Sequence, residues 1–283
     1  MTSSWSKSTW HRTRSGAFTN SARSPQLKRA EAVKNIVYQT DRLARHFAQN
    51  RVAWQQFYES ERVIIDQLGL DRDDTILDIG CGCGGLGLVL RDRFEIENYT
   101  GVEINQAAAE AGRGMNAKAQ ILSGDILDLS RNVLHDRRFD VVFSLSCVDW
   151  NICFSEMLAA AWNHVVPGGH LVSTFRLTAE EGCDDFNRSY QYINYDGIRE
   201  GERASYVVLN AKSLIQQLVK FKPSEINAYG YWGAPSVTAV TPFTKLCFAA
   251  LSIRKRKSGD VGALRYRLKL PGEILAVLEP LPQ

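Results

Sequence analysis

Several features that would place the chain in a special class are missing from the sequence. No apolar run reaches the roughly 18 residues that a membrane-spanning helix needs, and the first residues lack the apolar core of a secretion signal. The net charge of +3 is too small to indicate nucleic-acid binding by itself. The six cysteines include no CxxC pair, so zinc-ribbon spacing is absent and we expect no metal site. We therefore expect a globular protein of the reducing cytoplasm whose cysteines pack inside it.

Acidic residues are also missing from the start of the chain, where the first is Glu31. Residues 1–25 are rich in serine and basic residues, a composition that resembles a transit peptide, but we prefer a disordered basic tail. A second basic run covers residues 254–257. It leaves open an enzyme that acts at a membrane surface or on nucleic acid, although a solvated strand end is the simpler interpretation.

What the sequence does contain, from residue 71 onward, is a regular alternation of short apolar strands and helices. The pattern predicts strands at residues 75–79, 99–103, 119–123, 139–146, 170–176, 225–232 and 245–254. It predicts helices at residues 86–94, 105–116, 153–166 and 211–220, with Asn105 as a cap and Pro167-Gly168 as a stop. This alternation is typical of an α/β fold with a doubly wound, mostly parallel, seven-stranded sheet.

Other segments flank this sheet. Residues 26–70 have helical periodicity and are predicted to form an N-terminal helical lid, with Trp54, Phe57 and Tyr58 facing the ligand. Residues 178–210 form a tyrosine-rich insertion after the fifth strand, inside a main domain of residues 71–257. Residues 258–283 follow as a C-terminal extension without an assignable structure.

The turn after the first predicted strand is the strongest local signal. Residues 76–85 read ILDIGCGCGG, so a buried strand ends in closely spaced glycines and turns into a helix. Glycines permit positive φ angles and close approach of a ligand to the backbone, and this turn of a doubly wound sheet is a ligand crevice. The spacing Gly80-x-Gly82-x-x-Gly85 also fits a dinucleotide fingerprint. However, the Asp78 carboxylate opposes a pyrophosphate and favours a ligand with cationic groups.

The segment DIGCGCG resembles the first motif of the class I S-adenosylmethionine-dependent methyltransferases, and the resemblance extends from about residue 75 to residue 176. It implies a Rossmann-like fold, with S-adenosylmethionine as the cofactor. The motif positions Asp78, Gly80, Cys81 and Gly82 would hold the methionine end of the cofactor. The later positions imply Glu103 for the ribose, Ile104 against adenine, Asp125 and Ile126 for the adenine edge, and Ser144 with its two successors beside the sulfonium.

The sequence indicates the molecule that accepts the methyl group less directly than it indicates the cofactor. After the fourth strand, Asp149 is a candidate general base, although a helix cap is the more conservative interpretation, and Trp150 is a candidate pocket wall. Tyr190 and Tyr192 in the insertion are candidate acceptor-binding rings, since aromatic rings with polar tips suit sugars and phenols. His164 and His170 are interpreted as structural. No Asn/Asp-Pro-Pro-Tyr segment follows the fourth strand, so we expect a small molecule or glycan, methylated on oxygen rather than nitrogen, and not nucleic acid.

Two other functions stay open at this stage. An NAD-dependent oxidoreductase fits the glycine spacing but not Asp78 or Asp125. A non-catalytic protein that keeps the fold and binds the cofactor is the second, and peripheral membrane contact through the basic segments is a further option.

Overall fold

Short apolar segments between glycine and asparagine turns build a single large sheet, as the alternation of the sequence predicts. The computed structural model describes residues 35, 37, 42–193 and 197–281. Its strands are β1 Ile76–Ile79, β2 Tyr99–Glu103, β3 Gln120–Ser123, β4 Phe139–Ser144, β5 Val165–Thr178, β6 Tyr190–Tyr192, β7 Arg203–Ser205, β8 Leu209–Asn210, β9 Glu225–Gly233, β10 Ala239–Val240, β11 Leu246–Arg254 and β12 Arg265–Lys269. Its helices are α1 Arg42–Phe47, α2 Glu59–Asp66, α3 Gly85–Phe94, α4 Gln106–Met115, α5 Ile126–Leu129, α6 Phe154–Asn163, α7 Ala211–Val219 and α8 Gly272–Leu278, with 3₁₀ turns at Trp54–Gln56 and Val148–Trp150.

The order of the strands places the glycine turn at the middle of the sheet. The order is β12-β9-β11-β5-β4-β1-β2-β3, with the short β8 beside β5. β11 is antiparallel to both β5 and β9, and the other pairs are parallel. β1 lies between β2 and β4, so the direction of winding reverses at β1. The carboxyl edge at such a reversal is the ligand crevice of this architecture. The sheet contains all seven predicted strands, which are thus confirmed, and β8 and β12 are two further strands that were not predicted.

Apolar side chains cover both faces of this sheet. One cluster joins Leu77 and Val142 to α6, α7 and α8, and the other joins Ile76 and Phe143 to α2 and α3. Adjacent residues of β1 and β4 thus serve opposite faces, as the alternation of a strand requires. No helix among the described residues has the length and apolarity needed to cross a membrane.

The predicted stop at Pro167-Gly168 is wrong. α6 ends at Asn163, and residues 165–169 already belong to β5. The Gly168 amide donates to the Lys255 carbonyl, and the Lys255 amide donates to the Gly169 carbonyl, so the strand continues past β11 at this end. The ring of His164, just after the helix, is held by the Arg137 carbonyl and the Ser130 hydroxyl, each at 2.9 Å. Non-local pairing therefore decides where the helix gives way to the strand.

The N-terminal helical segment is only partly as predicted. α2 is packed rather than loose, because Ile64 and Ile65 are fully buried and the Tyr229 hydroxyl donates to Glu59 at 2.6 Å. Phe57 is buried beside the site, but Tyr58 is 54% exposed. The ring of Trp54 packs instead on α3, against Phe94 and Arg93. The predicted tail of residues 1–25 lies outside the described residues.

Two parts of the chain complete the fold beyond the predicted sheet. β6, β7 and β10 form a separate three-stranded antiparallel sheet from the insertion and residues 239–240. At the other edge, β12 pairs in parallel with β9, and α8 buries Ile274 and Leu278 in the core. The C-terminal segment that the sequence left unassigned is thus an integral part of the sheet and its packing.

Candidate active site

A cavity of about 450 Å³, its open mouth included, lies at the carboxyl ends of β1 and β4. The glycine turn contributes Asp78, Gly80, Cys81 and Gly82, and the end of β4 contributes Leu145 and Ser146. The N-terminal segment closes another side with Phe47, Arg51 and Phe57. Residues far apart in the sequence therefore meet where the topology predicts a ligand.

The glycine turn needs its glycines for both conformation and space. Gly80 and Gly82 have φ angles of 75° and 55°, a region that side chains with a Cβ rarely adopt. A Cβ on Gly80 would also collide with the Cys147 sulfur, which packs against the turn. The backbone of the turn is thus open to a ligand on one side and tightly packed on the other.

Asp78 is a buried acid at the floor of the cavity. It is 4% exposed and accepts a 2.6 Å hydrogen bond from the Tyr99 hydroxyl. Burial raises the pKa of Asp78 to about 7, although the Tyr99 hydrogen bond and the Arg51 charge oppose the rise. A carboxyl group poised in this way is stabilised as the anion when a cation enters the cavity.

Glu103, the predicted ribose ligand, connects β2 with the glycine turn. One carboxylate oxygen accepts from the Gly82 amide at 2.9 Å and the other from the Asn105 amide at 2.8 Å. Burial raises the pKa of Glu103, and these backbone donors oppose the rise. Ile104 follows half-buried, and the Asn105 side chain caps α4 as predicted by accepting from the Ala108 amide.

The predicted adenine-side residues have different surroundings. Asp125 caps α5 through the Leu127 amide at 2.9 Å, and it also accepts from the main-chain and side-chain nitrogens of Asn35 at 2.9 and 2.8 Å. Ile126 is 3% exposed and packs in the core. Ser144 is fully buried inside β4, so its side chain does not line the cavity. The next two residues of the chain line it instead.

A buried ion pair lies just after β4. Asp149 lies in the 3₁₀ turn and does not cap α6, whose N-cap is Cys153, so the helix-cap interpretation is wrong. Its Oδ2 is 3.2 Å from Nη1 of Arg176, which also donates to the Asp149 carbonyl at 2.7 Å. Both side chains are 6% exposed, and Oδ1 of Asp149 has no hydrogen-bond partner among the described residues. Burial raises the pKa of Asp149, and the Arg176 charge opposes the rise.

Aromatic rings enclose this ion pair. The Arg176 guanidinium lies 3.8 Å from the ring centroid of Tyr206 and 4.8 Å from that of Trp150. Trp150 in turn packs with the cavity residue Phe47 against the buried Ile193 of the insertion. Trp150 thus contacts the insertion together with a cavity residue, and its role as a pocket wall stays a prediction.

Tyr190 and Tyr192 do not lie with these rings. Successive side chains of a strand alternate between its two faces, and Ile193 belongs to the face that meets Trp150. Tyr190 and Tyr192 therefore occupy the opposite face, where their rings contact each other at 5.6 Å and Tyr190 contacts Arg203. Neither tyrosine lines the cavity, because β6 pairs with β7 and β10 in the separate sheet. Their role as acceptor-binding rings stays a prediction.

Sequence reasoning missed Arg51, Arg176 and Tyr206. Arg176 left a signal, since it is the one charged residue in the apolar run of residues 170–176. Tyr206 was only one of several tyrosines in the insertion. Arg51 carries no pattern of its own, because its position depends on how the N-terminal segment crosses the glycine turn.

The remaining polar candidates have structural contacts. His170 is bonded to the Ser252 hydroxyl at 2.9 Å, which together with the contacts of His164 confirms a structural role for both rings. In the basic run, Arg254 and Lys255 donate to main-chain carbonyls of their own chain. No group of three metal-ligating side chains occurs in the part of the chain that the structure describes.

Comparison with known proteins agrees with this geometry. Residues 77–171 match a family model described as a methyltransferase domain. The malonyl-[acyl-carrier protein] O-methyltransferase of Brevibacillus brevis is 27% identical over 172 residues, which are 56% of this chain and 62% of that protein. The Marinomonas protein of the same name is 24% identical over 203 residues, or 66% of this chain and 74% of that protein. The chain thus spans about two thirds of the length of these relatives.

Solved structures support the fold. Phosphoethanolamine N-methyltransferase 2 of Haemonchus contortus, solved with S-adenosylmethionine, superposes with a TM-score of 0.54 at 15% identity, covering 77% of this chain and 58% of that one. The YcgJ protein of Bacillus subtilis superposes with a TM-score of 0.50 at 10% identity, covering 71% and 100%. The family match over residues 77–171, the relatives and this fold support a class I S-adenosylmethionine-dependent methyltransferase. The cofactor is accordingly S-adenosylmethionine and not NAD.

The residues of the cavity fit that cofactor. S-adenosylmethionine carries an ammonium and a carboxylate at one end, and the cavity presents the Asp78 carboxyl group and the Arg51 guanidinium. Gly80 and Gly82 leave the backbone of the turn accessible. Glu103 lies at the end of β2, where the family resemblance places the ribose ligand.

Proposed function

We propose that the chain transfers a methyl group from S-adenosylmethionine to a hydroxyl oxygen of a small molecule or glycan, with Asp149 as the general base. The observation that carries this proposal is the buried carboxylate of Asp149, whose Oδ1 lacks a partner among the described residues. A buried acceptor without a partner is costly, so an incoming donor is favoured there. A substrate hydroxyl is such a donor.

The position of Asp149 suits that role. It follows the cavity residues Leu145 and Ser146 by three residues, at the carboxyl end of the sheet. Arg176 holds the other carboxylate oxygen, so Oδ1 has a fixed direction. Because burial raises the pKa of Asp149, the carboxylate is a stronger base than an exposed aspartate.

These contacts indicate what the cofactor and the protein would each contribute to the reaction. S-adenosylmethionine supplies an activated methyl group when bound. Asp149 accepts the proton of the acceptor hydroxyl, and Trp150 and Tyr206 provide flat apolar surfaces beside the ion pair. Both relatives described above are named as O-methyltransferases, which supports oxygen as the acceptor atom.

Methyl transfer to oxygen can be tested by following S-adenosylhomocysteine release with a panel of phenols, sugars and hydroxy acids. For an active acceptor, we expect Asp149→Asn to lower kcat by about 10²–10⁴-fold, the usual contribution of a positioned base. Affinity for S-adenosylmethionine should not change. Asparagine keeps an oxygen that can accept from Arg176, so the substitution is a mild one for the fold.

The pH profile supplies a second readout. The wild-type rate should fall as pH decreases through the raised pKa of Asp149, because the protonated acid cannot accept the hydroxyl proton. This limb should be absent from Asp149→Asn and unchanged in the control Asp136→Asn, since the Asp136 side chain is 92% exposed. An amine acceptor would need no base, so full activity of Asp149→Asn would contradict the proposal and favour nitrogen.

We also propose a cytoplasmic location, consistent with six free thiols. Fractionation of cells that produce the untagged chain tests this, and recovery in a membrane or organelle fraction would contradict it.

A further inference from the structure

The positive charge of the chain is concentrated in its C-terminal strands. Residues 220–269 contain ten lysines and arginines but only two acids, a net charge of +8 in a chain whose total is +3. The remaining residues therefore sum to −5. This basic region includes β9, β11 and β12, which end the main sheet on one side, whereas the cavity lies at β1 and β4. A field divided in this way attracts an anionic partner to that side of the sheet.

β12 is the outermost strand of the basic region. It pairs with β9 on one side, and no strand pairs with its other side in the part of the chain that the structure describes. Tyr266 and Leu268 pack against the core, so the opposite face of the strand carries Arg265, Arg267 and Lys269. The outer edge of a strand presents main-chain N–H and C=O groups with which a further strand can pair. β12 therefore combines a backbone template with a row of cations.

Few acids neutralise this row of cations. Glu225 accepts two hydrogen bonds from Arg265, at 3.1 and 3.0 Å, and its carboxylate lies 3.9 Å from Arg267. One carboxylate thus serves two arginines, whose side chains are 61% and 70% exposed. Lys269 is also exposed, and no ion pair holds it within the described residues. The three cations and Glu225 together keep a net charge of +2 at the edge of the sheet.

We propose that β12 binds an extended acidic segment of a partner protein, which adds a strand to the edge of the sheet. Side chains on one face of a strand repeat every two residues, or about 7 Å. Acids at alternate positions of the partner would therefore lie opposite the cations of β12, where opposite charges stabilise the pair.

The same cations decide which strands the edge accepts. Lysine and arginine on an edge strand oppose pairing with a basic strand, so they select an acidic one. A nucleic acid or a lipid surface can neutralise the charges but cannot continue the backbone ladder, which favours a peptide. Because β9, β11 and β5 lie between β12 and β4, this binding site is separate from the cavity and does not depend on the methyl acceptor.

The probe is a short fluorescent peptide in which glutamate alternates with valine, titrated with the full chain and followed by anisotropy. We expect it to bind, and to bind more weakly as salt is added, because exposed charges are screened. A peptide of the same sequence with all its amide nitrogens methylated keeps the charges but has no N–H donors. It should bind at least about tenfold more weakly. Hydrogen exchange should slow at the β12 amides with the first peptide and not with the second.

Two charge-reversed variants locate the binding site. Arg267→Glu/Lys269→Glu should weaken binding of the acidic peptide by about tenfold or more, since it places like charges opposite the acids. Lys220→Glu/Lys222→Glu is the matched control, because both lysines are exposed in the basic region but lie outside β12. At physiological salt it should weaken binding by about threefold or less. Both variants should bind S-adenosylmethionine like wild type, which shows that they are folded.

Several results would overturn the proposal. Absence of binding at low salt, or equal affinities for the two peptides, would contradict the addition of a strand. Equal losses in the two variants would contradict a site at β12. A single-stranded RNA of equal charge that binds more tightly than the peptide would show that the partner is a nucleic acid. A dimer of the chain alone that Arg267→Glu/Lys269→Glu dissociates would show that the edge binds a second copy instead.

Discussion

Replacing Asp78 by asparagine should stabilise the cofactor-free protein at alkaline pH while it weakens cofactor binding. Burial raises the pKa of this carboxyl group from its ordinary value of 3.8 to about 7, against the opposing effects of the Tyr99 hydroxyl and the Arg51 charge. The nearby Glu103 and Glu61 carboxylates add to the rise. The folded protein therefore prefers the protonated acid, and asparagine is its neutral, equally sized counterpart.

The direction in which pH changes the stability follows from proton binding. Between pH 3.8 and about 7 the folded state binds more protons at Asp78 than the unfolded state does, so this group makes stability fall as pH rises. A shift of this size corresponds to about 4 kcal/mol in total, at about 1.4 kcal/mol for each pKa unit. Between pH 5 and pH 8 the loss from Asp78 should be about 2.5 kcal/mol.

Urea unfolding of wild type and Asp78→Asn at pH 5 and pH 8 measures this directly. From pH 5 to pH 8, the free energy of unfolding of the variant should fall by about 2.5 kcal/mol less than that of wild type, because all other titrating groups are shared. Its affinity for S-adenosylmethionine should fall at least tenfold, since the cavity loses the carboxylate that can pair with the ammonium of the cofactor. Equal pH dependence in the two proteins would refute the account of Asp78 as a buried acid.

Two further substitutions test the contacts around the site. Arg176→Ala should lower the free energy of unfolding by about 3–5 kcal/mol, because it leaves the Asp149 carboxylate buried and unpaired. The double variant Arg176→Leu/Asp149→Leu should lower it much less. Equal decreases of this free energy in urea titrations of the two variants would refute the ion-pair argument. Glu103→Gln should cost about 1–3 kcal/mol in the same assay, because one amide oxygen cannot serve both backbone donors as well as two carboxylate oxygens do; stability equal to wild type would show that these donors find other partners.

The sequence predicts the cofactor half of the molecule well because its signals are local. β1, the glycine turn and the start of α3 are adjacent in the chain, and each has a conformation that its own residues favour. The Asn105 cap is equally local, since its side chain reaches an amide only three residues away. Asp78 and Glu103 lie near the carboxyl ends of neighbouring strands, so the strand order alone brings them to the same edge.

The region around Asp149, where we propose that the acceptor binds, could not be predicted in the same way. Asp149 and Arg176 are brought together by the pairing of β4 with β5, and the sequence does not specify which polar residues meet across that pair. Which face of β6 carries Tyr190 and Tyr192 depends on the pairing register of β6 with β7, and no turn motif in the sequence predicts that register. The start of β5 at Val165 likewise depends on contacts with residue 255, so the helix has already ended before Pro167.

The position of β11 between β5 and β9 has a consequence for the order in which the site can assemble. β1, β2 and β3 all lie within residues 76–123, so these neighbouring strands are close together in the sequence and only one helix separates each pair. Arg176, in contrast, lies opposite Phe248 on β11, a strand that follows β5 by dozens of residues. Contacts between distant segments form slowly because a long loop must close first. During synthesis on the ribosome, β1, β2 and β3 can therefore pair before β11, the strand that lies beside Arg176, has been made.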